Sequence, residues 1–175
     1  MRTAELVSIL SLTATAAFAQ GPAQPDLNDA EVAHVAVTAN SIDIDLARFA
    51  QSRARNSEVR SFANTMITDH TAVNARAAAL ASRLGVTPQD NQVSQSLQSG
   101  SRDARASLQS QRGAAFDRAY MDREVGYHQA VLDAIDQLLI PTTENAELRA
   151  LLTEVRPAIA AHLEHARHIR STLGN

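Results

Sequence analysis

Three histidines occupy positions where an apolar residue is expected in predicted helices. His70, His128 and His162 each fall at a step of three or four residues within an apolar helical face. Burying an unpaired imidazole is costly, so three of them in core-facing positions indicate a shared polar centre in a bundle of helices. Imidazole nitrogens bind transition metals, and they also build hydrogen-bonded networks, so the pattern predicts one or the other.

Two carboxylates are placed to join these histidines. Asp43 lies beside the apolar stripe of the first predicted helix, and Glu124 precedes His128 by four residues, which puts both on one helical face. Asp43 comes thirteen residues before Asn56 and His70 comes fourteen after it, so an antiparallel hairpin brings them to one height. We therefore predict a site of three histidines, with Asp43 or Glu124 as the carboxylate, that holds iron, zinc or copper.

The height of His162 is expected to differ from that of His128. His128 lies eleven residues before Leu139 and His162 lies seventeen after Asn145, a mismatch of about six residues or ~9 Å along a helix. The chain also lacks two centrally placed Glu-x-x-His motifs, the pattern typical of diiron bundles.

The periodicity predicts four helices that would position these side chains. The first runs from about Asp29 to Arg53 and the second from Ser57 to Leu84. The third ends at Leu139 and the last at Leu173. Ser57 and Thr143 are the candidate caps of the second and last helices. Residues 86–101 are rich in Gln, Asn and Ser and predict a long connection or a weak helix. The predicted fold class is an all-α, antiparallel four-helix bundle with a long connection between helices 2 and 3.

The amino terminus is typical of a secretory signal peptide. Arg2 precedes an apolar run from Leu6 to Phe18, and the segment ends in a small-x-small cleavage pattern at Ala19. We predict a signal peptide over 1–19, a flexible lead-in over 20–28 and a single bundle domain over 29–173. The mature protein is then expected to be periplasmic or secreted, without stable membrane insertion.

The amino-acid composition excludes some kinds of chemistry and some kinds of binding partner. All 16 basic residues are arginine and there is no cysteine, which excludes a Schiff-base lysine and a disulfide framework. With a net charge of −3, the sequence lacks the excess of basic residues that is typical of nucleic-acid-binding proteins. The sequence identifies no protein partner and leaves homo-oligomerisation open.

Several motifs together resemble a known family. They are Phe62-Ala63-x-x-Met66-Ile67-x-Asp69-His70, preceded by Asp43-Ile44-Asp45-Leu46, then Phe116-Asp117-x-x-Tyr120 and Pro157-x-x-x-x-His162. The chain from about 29 to 172 resembles the exported bacterial family known as domain of unknown function 4142, of the ferritin-like superfamily. The resemblance implies a ferritin-like four-helix fold, an exported protein, and functional positions at Asp43, His70, His128 and His162. It implies no established activity.

Three functions remain open on the sequence. The first is an exported bundle protein with a transition-metal site in its core. The second is a non-catalytic envelope stress or interaction protein, whose histidines form a buried polar network. The third, a diiron-type oxidoreductase, requires more inward-facing glutamates than the sequence offers. Whether the protein is an enzyme is left undecided by these residues.

Overall fold

The computed structural model describes residues 25–174 as an all-helical bundle, which confirms the predicted all-α class. The expected signal peptide at 1–19 lies outside these residues. The elements are α1 (Asp29–Arg53), α2 (Ser57–Leu84), α3 (Gln92–Ser110), α4 (Gly113–Ala134), a π-helical turn (Ile135–Leu139), α5 (Ile140–Thr142) and α6 (Ala146–Thr172). No helix among the described residues is long and apolar enough to cross a membrane.

The first hairpin, α1 and α2, has the predicted bounds with a different cap. The Asn56 side chain accepts the backbone N–H groups of Glu58 and Val59, so Asn56 caps α2 instead of the predicted Ser57. Gly85 ends α2 in the left-handed conformation, with φ 66°, which a residue with a Cβ adopts only with strain. Residues at or next to its two ends therefore determine where α2 begins and ends.

The second hairpin, α4 and α6, turns later than the sequence predicts. The helical segment that begins with α4 does not end at Leu139 but continues through the π-helical turn and the single-turn α5 to Thr142. Asn145, and not the predicted Thr143, caps α6. α6 then continues without interruption through Pro157 to Thr172.

A fifth long helix replaces the long connection expected after α2. Asn91 caps α3: its side chain accepts the N–H of Ser94, while the Ser94 hydroxyl accepts the N–H of Asn91. Leu108 is buried and Leu97 packs against the core, so a narrow apolar face holds this polar helix on α1 and α4. The cap and this face explain why a Gln- and Ser-rich segment is helical.

Each hairpin loop is bound by a carboxylate from the other hairpin. Asp117, near the start of α4, accepts two backbone N–H groups of the α1–α2 loop (residues 55–56) at 3.0 and 2.9 Å. Asp29, the first residue of α1, accepts two from the loop before α6 (residues 144–145) at 2.8 and 2.9 Å. These bonds tie the ends of the bundle together.

The core divides into two apolar clusters with a polar layer at their boundary. One cluster includes Leu46, Phe62, Met66, Phe116, Met121 and Ile169. The other includes Val32, Val35, Leu80, Leu132, Leu152 and Ile159. Along α1, α2, α4 and α6 a buried polar residue lies where one cluster gives way to the other.

Candidate metal centre

The polar layer contains all five residues that the sequence selected. Asp43 comes from α1, His70 from α2, Glu124 and His128 from α4, and His162 from α6. Their exposed fractions range from 0% for Asp43 and Glu124 to 7% for His162. Four helices therefore direct ionisable side chains into one water-excluded space.

The three imidazole rings lie next to one another. The ring centroids are 5.8 Å apart for His70 and His128, 5.4 Å for His70 and His162, and 5.6 Å for His128 and His162. The predicted ~9 Å offset of His162 is thus wrong, and continuation of the helix through α5 to Thr142 accounts for about half of the difference, because it moves the turn away from His128. One nitrogen from each ring lies within 4.8 Å of the other two.

The outer nitrogen of each ring has a hydrogen-bond acceptor. His70 Nδ1 donates to Asn40 Oδ1 at 2.7 Å, and His128 Nδ1 donates to the backbone oxygen of Glu124 at 3.0 Å. His162 Nε2 donates to Asp69 Oδ2 at 3.0 Å. Because a neutral imidazole carries one proton, these acceptors assign the proton to the outer nitrogen.

When the imidazoles are neutral, the inner nitrogens therefore present lone pairs to the shared space. His70 Nε2, His128 Nε2 and His162 Nδ1 are buried and make no hydrogen bond with the described residues. An outer acceptor that fixes the tautomer, with the other nitrogen facing inward, is the usual arrangement of metal-binding histidines. The sequence could not show this, since the acceptors Asn40 and Asp69 lie on other helices or off the apolar stripe.

Asp43 has one oxygen on the histidine side of the layer. Its Oδ2 lies 3.1 Å from His70 Nε2 and 3.9 Å from His128 Nε2, without hydrogen-bond geometry to either. Two donors bound to one tetrahedral ion at ~2.1 Å are themselves about 3.4 Å apart. The three nitrogens can accordingly bind one ion after side-chain movement, with Asp43 Oδ2, which lies close to two of them, as a fourth donor.

Glu124 lies on the other side of His128. Its Oε2 is 3.4 Å from His128 Nδ1, the outer nitrogen, so it supports that ring rather than facing the three lone pairs. The pKa of Glu124 is raised by burial and by the nearby charge of Asp43. Of the two carboxylates the sequence offered, the geometry favours Asp43 as the metal ligand.

A partly buried arginine that the sequence analysis missed joins the two carboxylates. Arg123 Nη1 donates to Asp43 Oδ1 at 2.8 Å and to Glu124 Oε1 at 2.7 Å. Burial acts to raise the pKa of Asp43, but its contact with His70 and the charge of Arg123 outweigh burial and hold that pKa below its usual range. Arg123 lies beside the apolar stripe of α4, so periodicity gave no signal for it.

Comparison with known proteins places the chain in a family. The sequence profile described as domain of unknown function (DUF4142) matches residues 13–169. The chain belongs to the DUF4142 family. This confirms the resemblance drawn from its motifs.

The fold of this DUF4142 protein is also found in a solved structure. It is similar to CopM in the Cu(II)-bound form, with a TM-score of 0.63 and 14% identity, over 85% of this chain and 99% of that chain. At such low identity the likeness shows a shared fold. No curated protein matches the sequence significantly.

The remaining histidines of the DUF4142 domain lie apart from the layer. His34 contacts Thr38 and Asp90, His165 packs its ring edge against Phe62, and His168 is exposed. Tyr120 is buried, and burial together with the charge of Glu124 raises the pKa of its hydroxyl well above the ordinary value. The hydroxyl makes no hydrogen bond with the described residues.

Proposed function

We propose that this DUF4142 protein is an exported metal-binding protein that holds a transition-metal ion in its helical core. His70, His128 and His162 are the nitrogen ligands and Asp43 is the carboxylate ligand. The convergence of three inward lone pairs, each fixed by an outward hydrogen bond, is the observation that carries the proposal. Export rests on the signal-like sequence of residues 1–19.

The chemistry of the ligands limits the metal to the later transition ions. Three imidazoles and one carboxylate suit zinc, copper or iron, whereas calcium and magnesium prefer oxygen ligands. Copper is a natural first ion to test, because CopM has been solved with Cu(II) bound. With four protein ligands on a single ion, binding of the metal is better supported than catalysis, for which an open position is usual.

The test is metal content of the purified mature protein. After removal of metal by chelation, the protein is incubated separately with Cu(II), Zn(II) and Fe(II), passed over a desalting column and analysed for elements. We expect one equivalent of at least one ion to remain bound. The variant His70→Ala/His128→Ala/His162→Ala should retain none, while His168→Ala, which alters an exposed histidine of α6, should behave as wild type.

A folded protein that retains none of the three ions would overturn the proposal. The single variant His162→Ala covers the case in which the triple variant fails to fold. Loss of one of four ligands should weaken binding at least tenfold with the helical circular dichroism unchanged. Unchanged affinity in that variant would remove His162 from the ligand set.

A further inference from the structure

The buried layer offers a second group of donor atoms beside the three histidines. Asp43, Glu124 and His128 also bring possible ligand atoms within 4.8 Å of one another. His128 and Asp43 border both groups, so two ions bound here would be neighbours. By donor chemistry alone, the layer could hold one ion or two.

The guanidinium group of Arg123 already lies between the two carboxylates of this second group of donor atoms. Arg123 Nη1 lies between Asp43 Oδ1 and Glu124 Oε1, at hydrogen-bond distance from each. A metal ion bound to these same two oxygens would have to lie where Nη1 lies. The guanidinium and such an ion therefore exclude each other by volume and by charge.

The guanidinium is held in place from a third direction. Arg123 Cζ lies 3.9 Å from the centre of the Tyr127 ring, a close cation–π contact. The Tyr127 hydroxyl in turn donates to the backbone oxygen of Ala39 on α1 at 2.8 Å. With 12% of its side chain exposed, Arg123 is a positioned part of the layer and differs from a mobile surface arginine.

We infer that Arg123 keeps metal ions off the Asp43–Glu124 pair and so limits the centre to one ion on its histidine side. The inference deepens the proposed function and takes the histidine site from it. It assigns Arg123 a specificity role: it takes the place of a second, oxygen-ligated cation. It also accounts for the second oxygen of Asp43 remaining directed at the imidazoles while the first is bound to Arg123.

The test compares metal stoichiometry in wild type and Arg123→Leu. Both are incubated with Zn(II), which suits imidazole, together with Mn(II), which suits carboxylates, and both ions are counted by elemental analysis. We expect one Zn(II) and no Mn(II) in wild type, and one additional ion in Arg123→Leu. Arg123→Lys, which keeps the charge, and Arg167→Leu, which removes an exposed arginine of α6, should match wild type.

A second measurement guards against loss of folding in Arg123→Leu. Arg123→Gln removes the charge but keeps a hydrogen-bond donor, so it should fold, gain the same additional ion and show a metal-dependent rise in melting temperature. Adding Glu124→Gln to either variant should remove the extra ion. That response would not follow if Arg123 served only to stabilise the fold.

Each outcome separates this inference from the proposed function. One ion in both wild type and the Arg123 variants overturns the inference and leaves the histidine site standing. No ion in wild type but one in the variants overturns the histidine site and supports the role of Arg123. Two ions in wild type, or none in any protein, overturns the inference.

Discussion

At the residue scale, the candidate metal centre depends on hydrogen-bond acceptors that orient each imidazole ring. The outward acceptors are an amide, a backbone oxygen and a carboxylate, and they come from α1, α4 and α2 respectively. When these imidazoles are neutral, the acceptors leave the inner nitrogens of His70, His128 and His162 without a proton. The affinity of the site for metal should therefore depend on residues that never touch the ion.

Asn40→Ala tests this dependence on His70. Without the amide oxygen, the His70 ring can rotate or change tautomer, and we expect metal affinity to fall by about 10- to 100-fold. Competition titration with a chromogenic chelator measures the change. The matched control is Asn64→Ala, which removes an exposed amide that accepts a hydrogen bond from Gln51, and it should have wild-type affinity. Equal affinities in the two variants would contradict the role of Asn40.

The proton on His128 makes binding depend on pH. Burial acts to lower the pKa of His128, but its contact with Glu124 and the charge of Asp43 outweigh burial and raise it above 6.5. Protonation of His128 therefore competes with metal binding up to a higher pH than protonation of an ordinary imidazole would. The pKa of His162 is lowered by burial, so this ring is already neutral and competes less.

We expect affinity to rise from pH 6 to pH 8, by up to about tenfold per pH unit for each proton released. Zn(II) titrations at pH 6, 7 and 8, with proton release followed by an indicator dye in weak buffer, measure this. Glu124→Gln removes the charge that raises the pKa of His128 and should flatten the profile. A wild-type affinity that is constant from pH 6 to 8 would contradict the assignment.

At the scale of elements, local chemistry predicts the helices well and their connections poorly. Apolar stripes and the residues near Arg53 and Leu84 located α1 and α2, because a helix that must bury one face shows it in its own sequence. α3 was expected as a connection or weak helix because most of its residues are polar. Its stability comes from contacts with α1 and α4 that no local pattern reports.

The extension of the third predicted helix is a different error. The π-helical turn ends at Leu139, and the helix continues through α5, which includes Pro141, although proline usually interrupts a helix. That extension reduces the height difference between His128 and His162 by three residues, or ~4.5 Å. The residues of the site were therefore predictable, while their alignment across the second hairpin was not.

Asp117→Ala tests whether the loop contacts between hairpins stabilise the bundle. The carboxylate is 3% exposed and accepts two backbone N–H groups, and its loss leaves both without a partner. We expect a loss of about 3 kcal/mol in the free energy of unfolding, measured by urea denaturation. Asp122→Ala, which removes an exposed partner of Arg170, should cost less than about 1 kcal/mol. Similar losses in the two variants would contradict this ranking.

At the scale of the whole molecule, the sequence predicted the bundle and its polar centre, but not the balance of charge within it. Asp43 and His70 share a layer as expected, because one short loop sets their heights. Arg123 escaped prediction because a long side chain can reach the layer from the flank of its helix. The charged side chains that reach the buried layer thus have to be identified from the three-dimensional structure.

The reciprocal binding of the loops has a consequence for how the molecule could be divided. Each hairpin carries the aspartate that closes the loop of the other, Asp117 for one and Asp29 for the other. The residues that follow the loops also correspond, Asn56-Ser57-Glu58-Val59-Arg60 and Asn145-Ala146-Glu147-Leu148-Arg149. The protein is thus built from two complementary halves, and a chain cut within α3 would yield fragments that each need the other to close their ends.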